Sequence, residues 1–168
     1  MASPLVALIM GSDSDLPTVK EACVVLASFD VPIQVRVLSA HRSPEELVAF
    51  VKEAEQGGVR VFIAAAGGAA HLAGVVAAHT TRPVLGIPIQ TSALNGLDSL
   101  LSMVQMPGGV PVGTMAIGTA GARNAAIFAV QILALSDEAL NVKLAQHRAQ
   151  QAKQVQQKDA RVQKEFGE

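Results

Sequence analysis

Tryptophan and tyrosine are absent, aromatic residues make up 3% of the chain, and the 168 residues include one cysteine, Cys23. A single thiol cannot close an intramolecular disulfide or build a thiolate metal cage. Flanked by Val24 and Val25 in a predicted helix, Cys23 reads as a small buried hydrophobe. The formal net charge of -1, with so few aromatic side chains, argues against a basic, aromatic-studded nucleic-acid surface, so no nucleic acid is expected as a partner. The first apolar run, LVALIM at residues 5–10, is too short for the core of a secretory signal and runs straight into the acidic GSDSD. Residues 61–78 approach the length of a membrane span, but Gly67, Gly68 and His71 interrupt them and predict a strand, a loop and a helix instead. The expectation is a cytoplasmic protein with no membrane association.

Charge is also missing from one part of the chain. Residues 61–136 hold three charged side chains, Arg82, Asp98 and Arg123, whereas residues 137–168 hold eleven. Exposed helix faces are normally covered by charge, so so apolar a middle segment predicts burial between subunits, helped by small residues that let helices approach closely. With 50% hydrophobic residues the chain suits a single domain over residues 1–168. Within it, residues 1–136 form the core and residues 137–168 a helical extension, rich in Gln and charge. Leu140 and Leu144, four apart, give that extension an apolar stripe suited to lying across a neighbouring subunit.

What is present is an alternation of short apolar runs, at residues 5–10, 33–38, 60–65, 83–87 and 112–117, with segments of helical length. Helices are predicted near 14–28, 43–56, 69–79, 97–105 and 122–135. The pattern predicts an α/β fold with a central parallel sheet. At the second helix Ser43 can cap, Pro44 suits the first position, and Glu46 completes a capping box. In such folds the loops after the carboxyl ends of the strands line the ligand crevice.

Four of those loops carry candidate chemistry. In GSDSD, Gly11 lets a ligand come close, Ser12 and Ser14 can donate to phosphate oxygens, and Asp15 can accept from ribose hydroxyls; a polar helix-capping loop explains the same residues equally well. In SAHRSP, His41 can exchange a proton near neutral pH, Arg42 can pair with phosphate or carboxylate, and Ser39 can orient either. A structural histidine and a solvated arginine are the plain alternative. In AGGAAHL, Gly67 and Gly68 can bring main-chain amides up to a planar ligand, while His71 suits a hydrogen-bonded structural histidine at least as well as a catalytic one. GTAGARN offers Gly118, Gly121 and Asn124, as part of a site, an interface or a tight turn. His79 and His147 have no acidic or histidine neighbours at ligand spacing, so no metal is expected.

Taken in order, MGSDSD, SAHRSP, AGGAAHL, PVLGIPI, DSLLSMVQMPGGVPVGTMAIG and GARNAA resemble the PurE family, the N5-carboxyaminoimidazole ribonucleotide mutases of purine biosynthesis, over about residues 5–136. The resemblance implies a flavodoxin-like three-layer α/β/α sandwich, assembled as a homo-octamer with the carboxyl-terminal helix taking part. It also implies migration of a carboxylate from the exocyclic nitrogen to ring carbon C4 without metal, ATP or organic cofactor. By the same resemblance Ser12, Asp15 and Arg42 bind the ribose phosphate, with Ser39 beside them, and His41 is the general acid and base. Gly67, Gly68 and Ala69, with Ala70, form a small cavity for carbon dioxide or a carboxylate, and His71 is a pocket residue. Two positions depart from the family pattern: Ala73, where Pro is usual, and Ser43, where Thr is usual.

Two other functions compete. A related class of the family uses free carbon dioxide as a carboxylase, but typically shows Lys after the loop histidine and a GRSN-like third loop, whereas this chain has Arg42 and GGAAH. A noncatalytic nucleotide- or flavin-binding module would account for the phosphate-suited GSDSD loop, since fold does not settle activity. A simple binder has little use for a titratable His41 beside its phosphate-binding Arg42.

Overall fold

In the computed structural model, which describes residues 3–167, the first apolar run forms β1 (Val6–Met10), every residue of which is buried. Its side chains alternate between two cores, as the period of a strand requires. Val6, Leu8 and Met10 enter one core, with Val19, Ala22 and Leu26 of α1 (Leu16–Ser28) and Ala122, Ala126 and Leu133 of α5 (Thr119–Ala134). Ala7 and Ile9 enter the other, with Leu47, Phe50 and Val51 of α2 (Pro44–Gln56), Val76 of α3 (Leu72–Ala78) and Met103 of α4 (Leu97–Val104).

Four further strands complete a parallel sheet: β2 (Ile33–Val37), β3 (Val61–Ala66), β4 (Val84–Pro88) and β5 (Gly113–Thr114), in the order β2-β1-β3-β4-β5. β1 pairs in register with β2 from Val6 opposite Ile33 and with β3 from Val6 opposite Val61. This is the flavodoxin-like doubly wound order, with helices on both faces, as expected from the alternation of runs. Strand order reverses at β1, so the loops leaving β1, β2 and β3 open at the switch point.

Three details differ from the sequence reading. β5 pairs with β4 over two residues rather than six, because regular pairing is lost after Met115 and the chain meets β4 again only through the Gly118 N–H and the Pro88 carbonyl, at a residue whose φ is 74°. Ser43 makes no capping bond to α2 and so no capping box with Glu46; its Oγ instead accepts from the Ser39 N–H at 3.0 Å and donates to the Ser39 carbonyl at 3.3 Å. Residues 69–71 lie outside α3, which leaves His71 at its N-cap.

The carboxyl-terminal segment is one helix, α6 (Glu138–Phe166), capped by Asp137, whose side chain accepts from the Leu140 N–H at 3.2 Å. Leu140 is buried in this chain's own core with Phe29, and Leu144 packs against that core from a half-buried position. Lys143 Nζ ties the helix to the end of α1 through the Phe29 carbonyl at 3.2 Å and the Asp30 carboxylate at 2.7 Å, and that contact holds the Asp30 carboxyl below its usual range. From residue 148 onward the helix is exposed, a rod of about 28 Å at the α-helical rise. Among the described residues no helix is long and apolar enough to cross a membrane.

Candidate active site

The loops after β1, β2 and β3 enclose a cleft of about 440 Å³ that contains Gly11, Ser12, Ser14 and Asp15 from the first, Ser39, His41 and Arg42 from the second, and Gly67 and Ala69 from the third. Ala40, Ala66 and Leu72 complete its walls. A hollow of about 520 Å³ at the opposite ends of the strands, around Thr80 and Pro83, contains a single charged side chain, Arg82, and that is already paired with Glu55 at 3.3 Å. Convergent polar groups therefore mark the first cleft as the site.

The first loop is shaped by its serines. Ser12 Oγ accepts from the Ser14 N–H at 3.3 Å and from the Ser14 hydroxyl at 2.9 Å, which winds Asp13–Asp15 into one 3-10 turn leading into α1. That turn tucks Asp15 into the wall, 8% exposed. Burial pushes the Asp15 carboxyl above the usual carboxylate value, opposed by hydrogen bonds from Ser14 and Ser12.

Ser39 organises the second loop. Its Oγ accepts from the backbone N–H groups of His41 at 3.3 Å and Arg42 at 3.2 Å, and from Arg42 Nε at 3.5 Å. Arg42 Nη2 reaches across to donate to the Gly11 carbonyl at 3.2 Å, which joins the second loop to the first. Among the described residues Arg42 makes no ion pair, so its charge is unspent on any carboxylate and faces the cleft from an exposed position.

The third loop brings a second imidazole to the first. His41 Nε2 lies 2.8 Å from His71 Nδ1, with the rings 4.9 Å apart and perpendicular, so one ring donates and the other accepts. Thirty residues of chain separate the two, and their contact was not foreseen from the sequence. One expectation for this loop changes. The Gly68 N–H is not presented to a ligand; it donates to Ser99 Oγ of α4 at 3.0 Å. Gly68, at φ 67°, thus shapes the wall from behind Gly67 and Ala69. Ala73 sits at the second position of α3, a first-turn site whose N–H lacks a helical partner, so the helix forms without the proline usual there. GTAGARN lines no part of the cleft: Gly118 is the N-cap of α5 and Thr119–Asn124 are its first turns.

A family model described as AIR carboxylase matches residues 5–154. The chain belongs to the AIR carboxylase family. Among curated relatives, the Bacillus subtilis N5-carboxyaminoimidazole ribonucleotide mutase is 55% identical over 86% of this chain and 90% of its own length. The Escherichia coli protein of the same name is 53% identical over 89% of each chain, and that of Synechocystis 52% identical over 96% of this chain and 91% of its own. The crystal structure of Treponema denticola PurE superposes with a TM-score of 0.86 over 95% of this chain and 98% of that one, at 25% identity. The PurE-type resemblance read from the motifs therefore holds along nearly the whole AIR carboxylase family match.

Proposed function

We propose that this protein is an N5-carboxyaminoimidazole ribonucleotide mutase, an isomerase of purine biosynthesis that yields the 4-carboxylated aminoimidazole ribonucleotide. The observation that carries the reading is the meeting of His41 and Arg42 with Asp15 and the Gly67 wall in one cleft, with His71, which does not line that cleft, bonded to His41 from behind it. Arg42, with no carboxylate partner, holds the substrate phosphate, and Ser12 and Asp15 hold the ribose. His41 gives a proton to the exocyclic nitrogen as the bond from that nitrogen to the carboxylate carbon breaks. Carbon dioxide and neutral aminoimidazole ribonucleotide result. Ring carbon C4 then attacks carbon dioxide, and the C4 proton returns to His41 as aromaticity is restored. One imidazole therefore ends as it began, and its Ser39-anchored backbone and the His71 ring fix its orientation. Released carbon dioxide must stay beside C4, which requires a closed wall at Gly67, Ala69 and Ala70.

Assembly belongs to the same reading. Leu97, Leu101 and Val104 on α4 and Phe128 on α5 are each more than two-fifths exposed on this single chain, which supports burial against further copies, the homo-octamer that the family resemblance implies. A cytoplasmic location accompanies that biosynthetic role.

The test supplies purified protein with N5-carboxyaminoimidazole ribonucleotide, without ATP and depleted of bicarbonate, beside His41→Asn. Wild-type protein is expected to form the C4-carboxylated product, and the variant to lose turnover by about a hundredfold or more while retaining substrate binding. Product formed only from aminoimidazole ribonucleotide with added carbon dioxide would replace the mutase with a carboxylase. Undiminished turnover by the variant would remove His41 from the chemistry.

A further inference from the structure

Behind the third loop, on the side away from the cleft, α4 presents two hydroxyls to the same glycine. Ser99, fully buried, accepts the Gly68 N–H at 3.0 Å and donates its own proton to the Ile89 carbonyl at 2.7 Å. One turn along, Ser102 Oγ lies 3.2 Å from the Gly68 carbonyl and 2.8 Å from the Asp98 carbonyl. The peptide unit before the Gly68 Cα is thus held from α4 through its N–H, and the carbonyl of the one after it shares the single Ser102 proton with the nearer Asp98 carbonyl. Neither serine lines the cleft.

The need for such a clamp follows from the backbone it holds. Gly68 has φ 67° with open space around its missing Cβ, so nothing in its own packing keeps it in place. Its immediate neighbours, Gly67 and Ala69, are the wall of the cleft. Gly67 is backed by Ile89 and Thr91, each 3.5 Å from where a Cβ would stand, and Thr91 donates to Asp98 at the start of α4 at 2.8 Å. The wall, the end of β4 and α4 therefore form one hydrogen-bonded unit.

We propose that Ser99 and Ser102 are positioning residues that hold the Gly67–Ala69 wall against the migrating one-carbon group and so keep carbon dioxide from escaping between its release from nitrogen and its capture by C4. The proposal rests on the mutase reading. A wall displaced by roughly 1 Å can slow a positioned reaction about a hundredfold, and a loosened wall adds a second consequence, exchange of the trapped gas with solvent.

The experiment follows turnover of unlabelled N5-carboxyaminoimidazole ribonucleotide in isotopically labelled bicarbonate and carbonic anhydrase, for wild type, Ser99→Ala and Ser102→Ala. The labelled fraction of the C4 carboxylate measures escape and recapture. Both variants are expected to lower kcat about tenfold or more, to leave KM within about threefold, and to raise the labelled fraction several-fold over wild type. A merely structural loss would lower the amount of active enzyme and leave the labelled fraction of its product unchanged. Should Ser99→Ala fail to fold, Ser102→Ala decides, because its hydroxyl is only half-buried and its other bond is local to α4. Folded variants with wild-type kcat and labelling overturn this proposal alone. A wild-type protein that makes no product from the carboxylated substrate overturns the mutase reading, and this proposal with it.

Discussion

A Cβ built on Gly121 would stand 1.6 Å from the carbonyl oxygen of Ala116 and 2.7 Å from its carbonyl carbon. Real Cβ atoms essentially never come within 3.0 Å of such an atom, so Gly121→Ala demands movement of at least 1.4 Å, and both obstacles are backbone. Neither side yields easily. The turn is held by Met115 N–H to the Gly86 carbonyl and Gly118 N–H to the Pro88 carbonyl, both 2.9 Å, and α5 is held by Ala122, Ala125, Ala126 and Ala129, all fully buried. Overpacking costs about 1–3 kcal/mol, and distorting the two hydrogen bonds costs about 1 kcal/mol each. Alanine's better helix propensity returns about 1 kcal/mol, too little to change the sign. The net loss of about 2–4 kcal/mol corresponds to a fall in Tm of roughly 5–15 °C for a chain of this length. Thermal melts followed by circular dichroism measure it, with Gly108→Ala as control, because no atom lies within 4 Å of that added Cβ and its φ is ordinary. The control should stay within about 0.5 kcal/mol of wild type. A Gly121→Ala protein melting within about 2 °C of wild type would refute the reasoning, since it would show that turn and helix can separate without loss.

Two further outcomes are expected at the cleft. Arg42→Lys replaces a planar fork that reaches Ser39 and Gly11 by a point charge, so substrate saturation kinetics should show KM raised about tenfold or more with kcat little changed; an unaltered KM would remove Arg42 from binding. Asp15→Asn should trade stability against function. Because burial raises the native carboxyl above 3.8, the stabilisation from its neutral form is complete below that value and is lost as pH rises through the raised native one. At pH 7 the ionised group is a burden, so the variant should melt higher than wild type there, with the advantage vanishing toward pH 3.8, while its KM rises; a constant difference in Tm across that range would contradict the assignment.

The core strands were legible because burial on both faces writes itself as continuous apolar sequence. VALIM, VFIAAA and VLGIP admit no other placement in an α/β chain, and each is a fully buried strand. The edge strands were less so. IQVRV alternates, and its Val35 and Val37 stay exposed while Arg36 lies over the Phe50 ring at 5.0 Å, so its position at the edge depends on what is not beside it. β5 was overestimated at the other edge because hydrophobicity does not record where a backbone leaves a sheet. The Asp15 carboxylate, the Arg42 guanidinium and the His41 imidazole of the cleft, and His71 beside it, were each visible singly, since a polar loop at the end of an apolar run announces itself locally.

What connects those loops was invisible for a different reason. His41 meets His71 across 30 residues, Arg42 meets Gly11 across 31, and Ser99 meets Gly68 across 31. Each contact arises because parallel strands, β2 and β3 on either side of β1 included, deliver their loops to the same end of the sheet, so residues remote in sequence become neighbours only once strand order is known. A serine in the helix DSLLSMV, with its apolar stripe, reads as an incidental polar residue. Its two bonds give it another meaning: a fully buried hydroxyl with both donor and acceptor engaged fixes whatever it is bonded to, since removing it leaves the half-buried Gly68 N–H and Ile89 carbonyl without that partner. The groups it fixes are the end of β4 and the glycine behind the cleft wall. The chemistry of the site is therefore carried by loops that sequence displays, and the rigidity of its wall by a helix that displays nothing until it is folded against them.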